Sequence, residues 1–120
     1  MREPFKKSLG EIPVEEGYKG GGGRQVILSR EDDIAEHLQI LTRGFLSSGA
    51  SFPWHGHQGT DEFFIVLKGA GQVTYQDESG GLPSFAYTAG DIVYIPADVP
   101  HGIECTGSEG CEYPVVRLDA

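Results

Sequence analysis

From Arg24 onward, apolar and β-branched residues recur in short runs separated by turn chemistry. The runs are Arg24 to Leu28, Leu38 to Leu46, Glu62 to Leu67, Gln72 to Gln76, Asp91 to Ile95, His101 to Cys105 and Tyr113 to Leu118. Runs this short, bounded by Gly, Pro, Asp and Ser, predict strands rather than helices. Lys68-Gly69-Ala70-Gly71 and Asp77-Glu78-Ser79-Gly80-Gly81 read as hairpin turns, Ala89-Gly90 as a tight bend and Pro96 to Pro100 as a rigid loop. Strands at such regular spacing predict an all-β sandwich or barrel. Ser29 ahead of Glu31, Asp32 and Asp33 reads as a helix start, with a capping oxygen and acids near the positive end of the dipole. β-prone residues follow so closely that only one or two helical turns fit.

Ahead of these runs no period is sustained. Pro4, Pro13 and the run Gly20 to Gly23 make residues 1–23 an N-terminal arm with a flexible Gly-rich loop, and residues 24–120 the barrel domain. A chain of 120 residues is the size of one domain, and 38% hydrophobic with 22% charged residues is a globular composition. The net charge of -9, with no cluster of Lys and Arg, excludes a phosphate-backbone partner, so no nucleic acid is expected. No apolar stretch approaches the roughly 20 residues of a membrane span, and Met1 to Gly10 holds no hydrophobic segment. A soluble, cytoplasmic chain with no membrane partner is expected. Cys105 and Cys111 are too few for a disulfide framework; they flank Thr106 to Gly110 and would face each other across a symmetric hairpin. A reducing cytosol keeps such pairs as thiols, so free thiols are expected.

The chemistry concentrates in two stretches. In Trp54-His55-Gly56-His57, two histidines stand two residues apart, and side chains at that spacing on a strand share a face, so both rings can reach one ion. Glu62 opens an apolar strand with the parity of Phe64 and Val66, which puts a carboxylate on the buried side, where it needs a partner such as a metal. In Gly90 to Cys105, a strand, a proline-stiffened turn and a second strand beginning at His101 bring a third imidazole alongside.

These stretches resemble the two signature motifs of the cupin superfamily. Gly49 to Gly69 is similar to G-x5-H-x-H-x4-E-x6-G at every fixed position, and Gly90 to Cys105 is similar to G-x5-P-x-G-x2-H-x3-N at Gly90, Pro96 and His101. Asp98 stands where the family prefers Gly, and Cys105 where it prefers Asn. Asp tolerates a left-handed backbone, so the turn is expected to survive. Asp61 adjoins Glu62, but counting six residues back from Gly69 selects Glu62. The resemblance implies a double-stranded β-helix (jelly-roll) barrel holding one divalent transition metal per chain through His55, His57, Glu62 and His101. About two coordination positions stay open, a donor set that suits Fe, Mn, Ni, Co or Zn better than Mg or Ca.

Parity makes Phe64, Val66, Ile103 and Cys105 candidate pocket walls, with Phe52, Tyr75 and Tyr94 from strands of uncertain register. Trp54 is expected outside the barrel, Arg43 at a solvated edge and His37 at the surface. Phe63, Ile65 and Leu67 form a second apolar face on the Glu62 strand, which predicts cover by a second chain, and hence a homodimer. The alternative cover is the arm, through Phe5, Leu9, Ile12 and Val14. The expected function is dioxygenase-type oxidation of a small-molecule substrate, with Glu62 as the catalytic group. A non-redox isomerase, epimerase or lyase, and a metal-stabilised binding module, are the alternatives.

Overall fold

The computed structural model describes residues 3–18 and 22–120. The described residues form β1 (Glu15–Tyr18), β2 (Gly22–Ser29), β3 (Leu38–Leu46), β4 (Ser51–His55) and β5 (Thr60–Ile65). They continue through β6 (Ala70–Tyr75), β7 (Ser84–Thr88), β8 (Ile92–Ile95), β9 (His101–Cys105) and β10 (Cys111–Asp119). All pairings are antiparallel, in a six-stranded sheet ordered β1-β2-β3-β10-β5-β8 and a four-stranded sheet ordered β4-β9-β6-β7. The architecture is all-β, two sheets facing each other as a jelly roll.

The alternation on β5 shows what drives the two sheets together. Glu62, Phe64 and the following Val66 are 3%, 2% and 0% exposed, whereas Phe63, Ile65 and Leu67 are 36%, 43% and 56% exposed. Phe64 and Val66 join Leu46, Val73, Val93, Ile95, Ile103 and Tyr113 in one core between the sheets. Truncating a ring buried like Phe64 to Ala costs about 3–5 kcal/mol. Two tyrosines carry polar atoms into this core and satisfy them: Tyr87 donates to the Glu104 carbonyl at 2.7 Å and accepts from the Tyr113 hydroxyl at 2.6 Å. Gly69 is confined to glycine twice over, by φ of +90° and because a Cβ there would lie 2.6 Å from Cys111 Sγ.

The runs at Leu38 to Leu46 and His101 to Cys105 coincide with β3 and β9. Three strands fall outside the predicted runs. β4 contains Pro53, tolerable because β4 is a sheet edge; β7 is exposed except at Tyr87; and β1 lies in the arm, pairing with β2, which itself starts at Gly22 rather than Arg24. The flexible loop expected around Gly20 falls partly outside the described residues. Lys68 to Gly71 is not a hairpin turn, because β5 and β6 lie in different sheets and the chain crosses between them there. Asp77 to Gly81 does join a pair, β6 and β7. Ser29 caps a single 3₁₀ turn, Arg30–Asp32, accepting from Glu31 N while its own N–H donates to Asp32 Oδ2 at 2.8 Å.

The described residues of the arm do not cover the outer face of β5, where Phe63, Ile65 and Leu67 stay exposed. Gln25, buried on the outside of β2, donates from Nε2 to the carbonyls of Leu9 and Ile12 at 2.8 and 2.9 Å, which ties the arm to the β2 side of the sheet. Arg43 shares that face: it bonds Gln25 Oε1 at 3.0 Å, pairs with Glu112 and lies over the Phe45 ring.

Candidate metal centre

His55 ends β4, His57 follows in the loop before β5, and His101 begins β9, directly paired with His55. His57 therefore joins the site from a loop rather than from a shared strand face. One ring nitrogen from each of the three lies within 4.8 Å of the others. The closest approach is His55 Nε2 to His57 Nε2, at 3.1 Å.

The orientation of the rings follows from their backbone partners. His101 Nδ1 faces the Val99 carbonyl at 2.9 Å, and His55 Nδ1 faces the Pro53 carbonyl. Carbonyls only accept, so the proton sits on Nδ1 and the Nε2 lone pair points inward in both rings. His101 is 0% exposed, and among the described residues its Nε2 has no hydrogen-bond partner. A buried acceptor left orphaned costs roughly 1–3 kcal/mol, and converging lone pairs repel. A cation removes both penalties, and neutral imidazoles are what it requires. Burial, then the charge of Arg117, pushes the His57 imidazole down to about 4, and burial lowers His101. The donor set fits a divalent transition metal.

Glu62 lies beside this triad. Its Oε1 is 3.7 Å from His57 Nε2 and its Oε2 is 3.6 Å from His101 Nε2. Asp61 points the other way, accepting at Oδ1 from Tyr94 OH at 3.2 Å and from Ala97 N at 3.0 Å, so of the two acids only Glu62 reaches the centre.

A pocket opens next to the triad, lined by His55, Glu62, Phe52, Phe64, Ile103 and Val115 among others. Of the expected walls, Cys105 and Val66 are core residues that do not line it. Cys105 faces the interior, as its parity requires, but at the far end of β9 from His101, against Cys111. Tyr75 and Tyr94 border a separate cleft with Phe85, floored by the core residues Val73 and Ile95. Trp54 is exposed outside the barrel, His37 is at the surface, and Arg43 is on the outer face.

Two residues gain roles that motif reading did not assign. Arg117, opposite Glu62 in the β10–β5 register, donates from Nε to Glu62 Oε1 at 2.8 Å. Its signal was the alternation Tyr113, Val115, Arg117, which ends an inward-facing row in a cation. Asp98 adopts a left-handed φ of 66° and bonds the loop that carries His57.

The Cupin domain family model matches residues 45–117, more than half of the chain. The chain belongs to the cupin family. This cupin is 34% identical over 101 residues to oxalate decarboxylase of Bacillus subtilis, covering 84% of this chain and 25% of that one. It is 31% identical over 81 residues to an uncharacterized protein of Methanocaldococcus jannaschii, covering 63% of this chain and 61% of that one. The chain thus spans less than two thirds of the length of these curated relatives. Among solved structures, a predicted oxalate decarboxylase from Thermotoga maritima is similar at a TM-score of 0.83 and 25% identity, covering 97% of this cupin and all of that chain. Another is B. subtilis oxalate decarboxylase, studied for its Mn(II) centres, with a TM-score of 0.81 and 26% identity over 99% of this cupin and 30% of that chain.

Proposed function

We propose that this cupin is a metal-dependent enzyme acting on a small organic molecule, with His55, His57, Glu62 and His101 as the ligands of one divalent transition metal. The observation that carries the reading is the convergence of three imidazoles around the orphaned Nε2 of buried His101, at the wall of a mostly apolar pocket. The metal would supply a Lewis acid with open positions and, if iron or manganese, a redox partner for dioxygenase-type chemistry. Val99 and Pro53 hold the rings of His101 and His55 in the ligating tautomer. Phe52, Phe64, Ile103 and Val115 keep water from the substrate. Glu62 Oε1 is engaged by Arg117, so Oε2 is the atom available to hold a substrate proton.

A second reading, a non-redox lyase, is favoured by the likeness to oxalate decarboxylase. Reconstitution with Fe(II), Mn(II) and Zn(II), followed by a screen of small carboxylates, diketones, catechols and sugar acids, separates the two. Oxygen uptake present with iron and absent with zinc supports the dioxygenase reading; turnover without oxygen uptake supports the lyase. Glu62→Gln is expected to lose more turnover than metal, and His101→Ala to lose both. Full metal content in a His55→Ala, His57→Ala double variant would sink the metal assignment.

The working form proposed is a cytoplasmic homodimer. The exposed outer row Phe63, Ile65, Leu67, Ile92 and Tyr94, which the described part of the arm leaves uncovered, supports a second copy as its cover. Among the described residues no helix is long and apolar enough to cross a membrane.

A further inference from the structure

We infer that Arg117 makes the pocket an anion subsite, so that the ligand is a small carboxylate held between this guanidinium and the metal centre. The inference rests on the metal reading above and names the substrate class that reading left open.

Arg117 lines the pocket from β10, its side chain 23% exposed, among Phe64, Tyr113 and Val115. Among the described residues its one hydrogen bond runs from Nε to Glu62, leaving the two terminal amino groups unspent. Holding a guanidinium in such a setting is costly unless its donors are used. Its planar fork is the shape that grips a carboxylate through two parallel bonds. Arg24 lines the same pocket but is paired with Glu15 at 3.0 Å, so it adds little net charge.

The charge balance points the same way. A cation beside a divalent metal site opposes metal binding, and Arg117 stands there: it is bonded to Glu62 at 2.8 Å, and Glu62 lies 3.7 Å from His57 Nε2 and 3.6 Å from His101 Nε2. Glu62 offsets a single positive charge. A divalent ion, Arg117 and Glu62 together leave an excess of two positive charges in a partly desolvated pocket, which an anionic ligand would neutralise. If Arg117 served only to orient Glu62, a neutral donor would do so without this penalty.

The test measures oxalate binding by calorimetry to the wild type, Arg117→Met and Arg117→Lys, each metal-free and Mn(II)-loaded, with metal content assayed separately and neutral oxamide as control. The expected result is a loss of about ten- to hundredfold in oxalate affinity in Arg117→Met, the size of lost charge-assisted bonds. Metal content should stay unchanged, Arg117→Lys should recover part of the loss, and oxamide should be indifferent. Equal oxalate affinity in Arg117→Met and wild type would overturn the subsite and leave the metal reading intact. So would a loss of affinity in Arg117→Met that only follows a loss of metal, with the metal-free wild type and metal-free Arg117→Met binding oxalate equally. Oxalate binding that depends on Arg117 in a wild type unable to take up metal would uphold the subsite and overturn the metal reading.

Discussion

Asp98 and Gly59 meet across two loops: the Asp98 carboxylate accepts the Gly59 N–H at 3.0 Å, while its own N–H donates to the His57 carbonyl at 3.1 Å. The motif favours Gly where Asp98 stands, and the aspartate uses the same left-handed backbone to tie the turn before His101 to the loop carrying His57. Asp98→Gly is therefore expected to keep the turn but loosen His57. Asp98→Ala loses the bond and also strains the backbone, at a cost of about 1–3 kcal/mol. Thermal unfolding should rank wild type above Asp98→Gly above Asp98→Ala, with metal affinity falling in the same order. An alanine variant as stable as wild type would show that the tether carries no weight.

The low protonation ranges of His57 and His101 set a pH dependence whose sign is definite. Below about 6.5 the unfolded chain takes up protons that the folded site refuses, down to about 4 for His57. Stability from this site is thus fully present above pH 6.5 and is lost as pH falls toward 4, and His101 acts in the same direction. Denaturation midpoints in the presence of a chelator should fall between pH 7 and pH 4.5, and bound metal should steepen the fall. A midpoint that rises on acidification across this window would contradict the assignment.

Cys105 and Cys111 lie with their sulfurs 2.7 Å apart in the core, although they belong to strands of different sheets rather than to a hairpin. Burial first, then the neighbouring Cys111, pushes the Cys105 thiol up to about 11, which suppresses the thiolate needed for reaction. Both should titrate as free thiols in denatured, non-reduced protein and react slowly in native protein. A titration finding no free thiol after purification in air would show that the pair closes.

The outer row of β5 and β8 predicts the oligomeric state. Ile65→Glu replaces an exposed apolar side chain, so it should leave the fold intact and shift a dimer to monomer in light scattering. A wild type that is already monomeric at micromolar concentration would remove the dimer from the proposal.

Glu62 and His101 were legible in the chain because they follow local rules, whereas His57 reaches the cluster from a loop and not from the strand face that its spacing with His55 predicted. Glu62 shares the parity of Phe64 and Val66, Asp61 takes the opposite parity, and His101 follows a proline-stiffened turn. Strands with clear alternation, such as β3 and β9, were legible for the same reason, whereas β4 and β7 carry few buried positions and so leave little pattern. Periodicity tells which side of a strand is buried, but not which strand lies across from it. Only the tertiary structure, through pairings between residues far apart in sequence, placed Arg117 opposite Glu62, sent Lys68 to Gly71 across to the other sheet and brought Cys105 against Cys111. The same long-range packing left His101 Nε2 buried without a hydrogen-bond partner among the described residues, because a side chain's surroundings are supplied by the opposing sheet and not by its own neighbours in the chain.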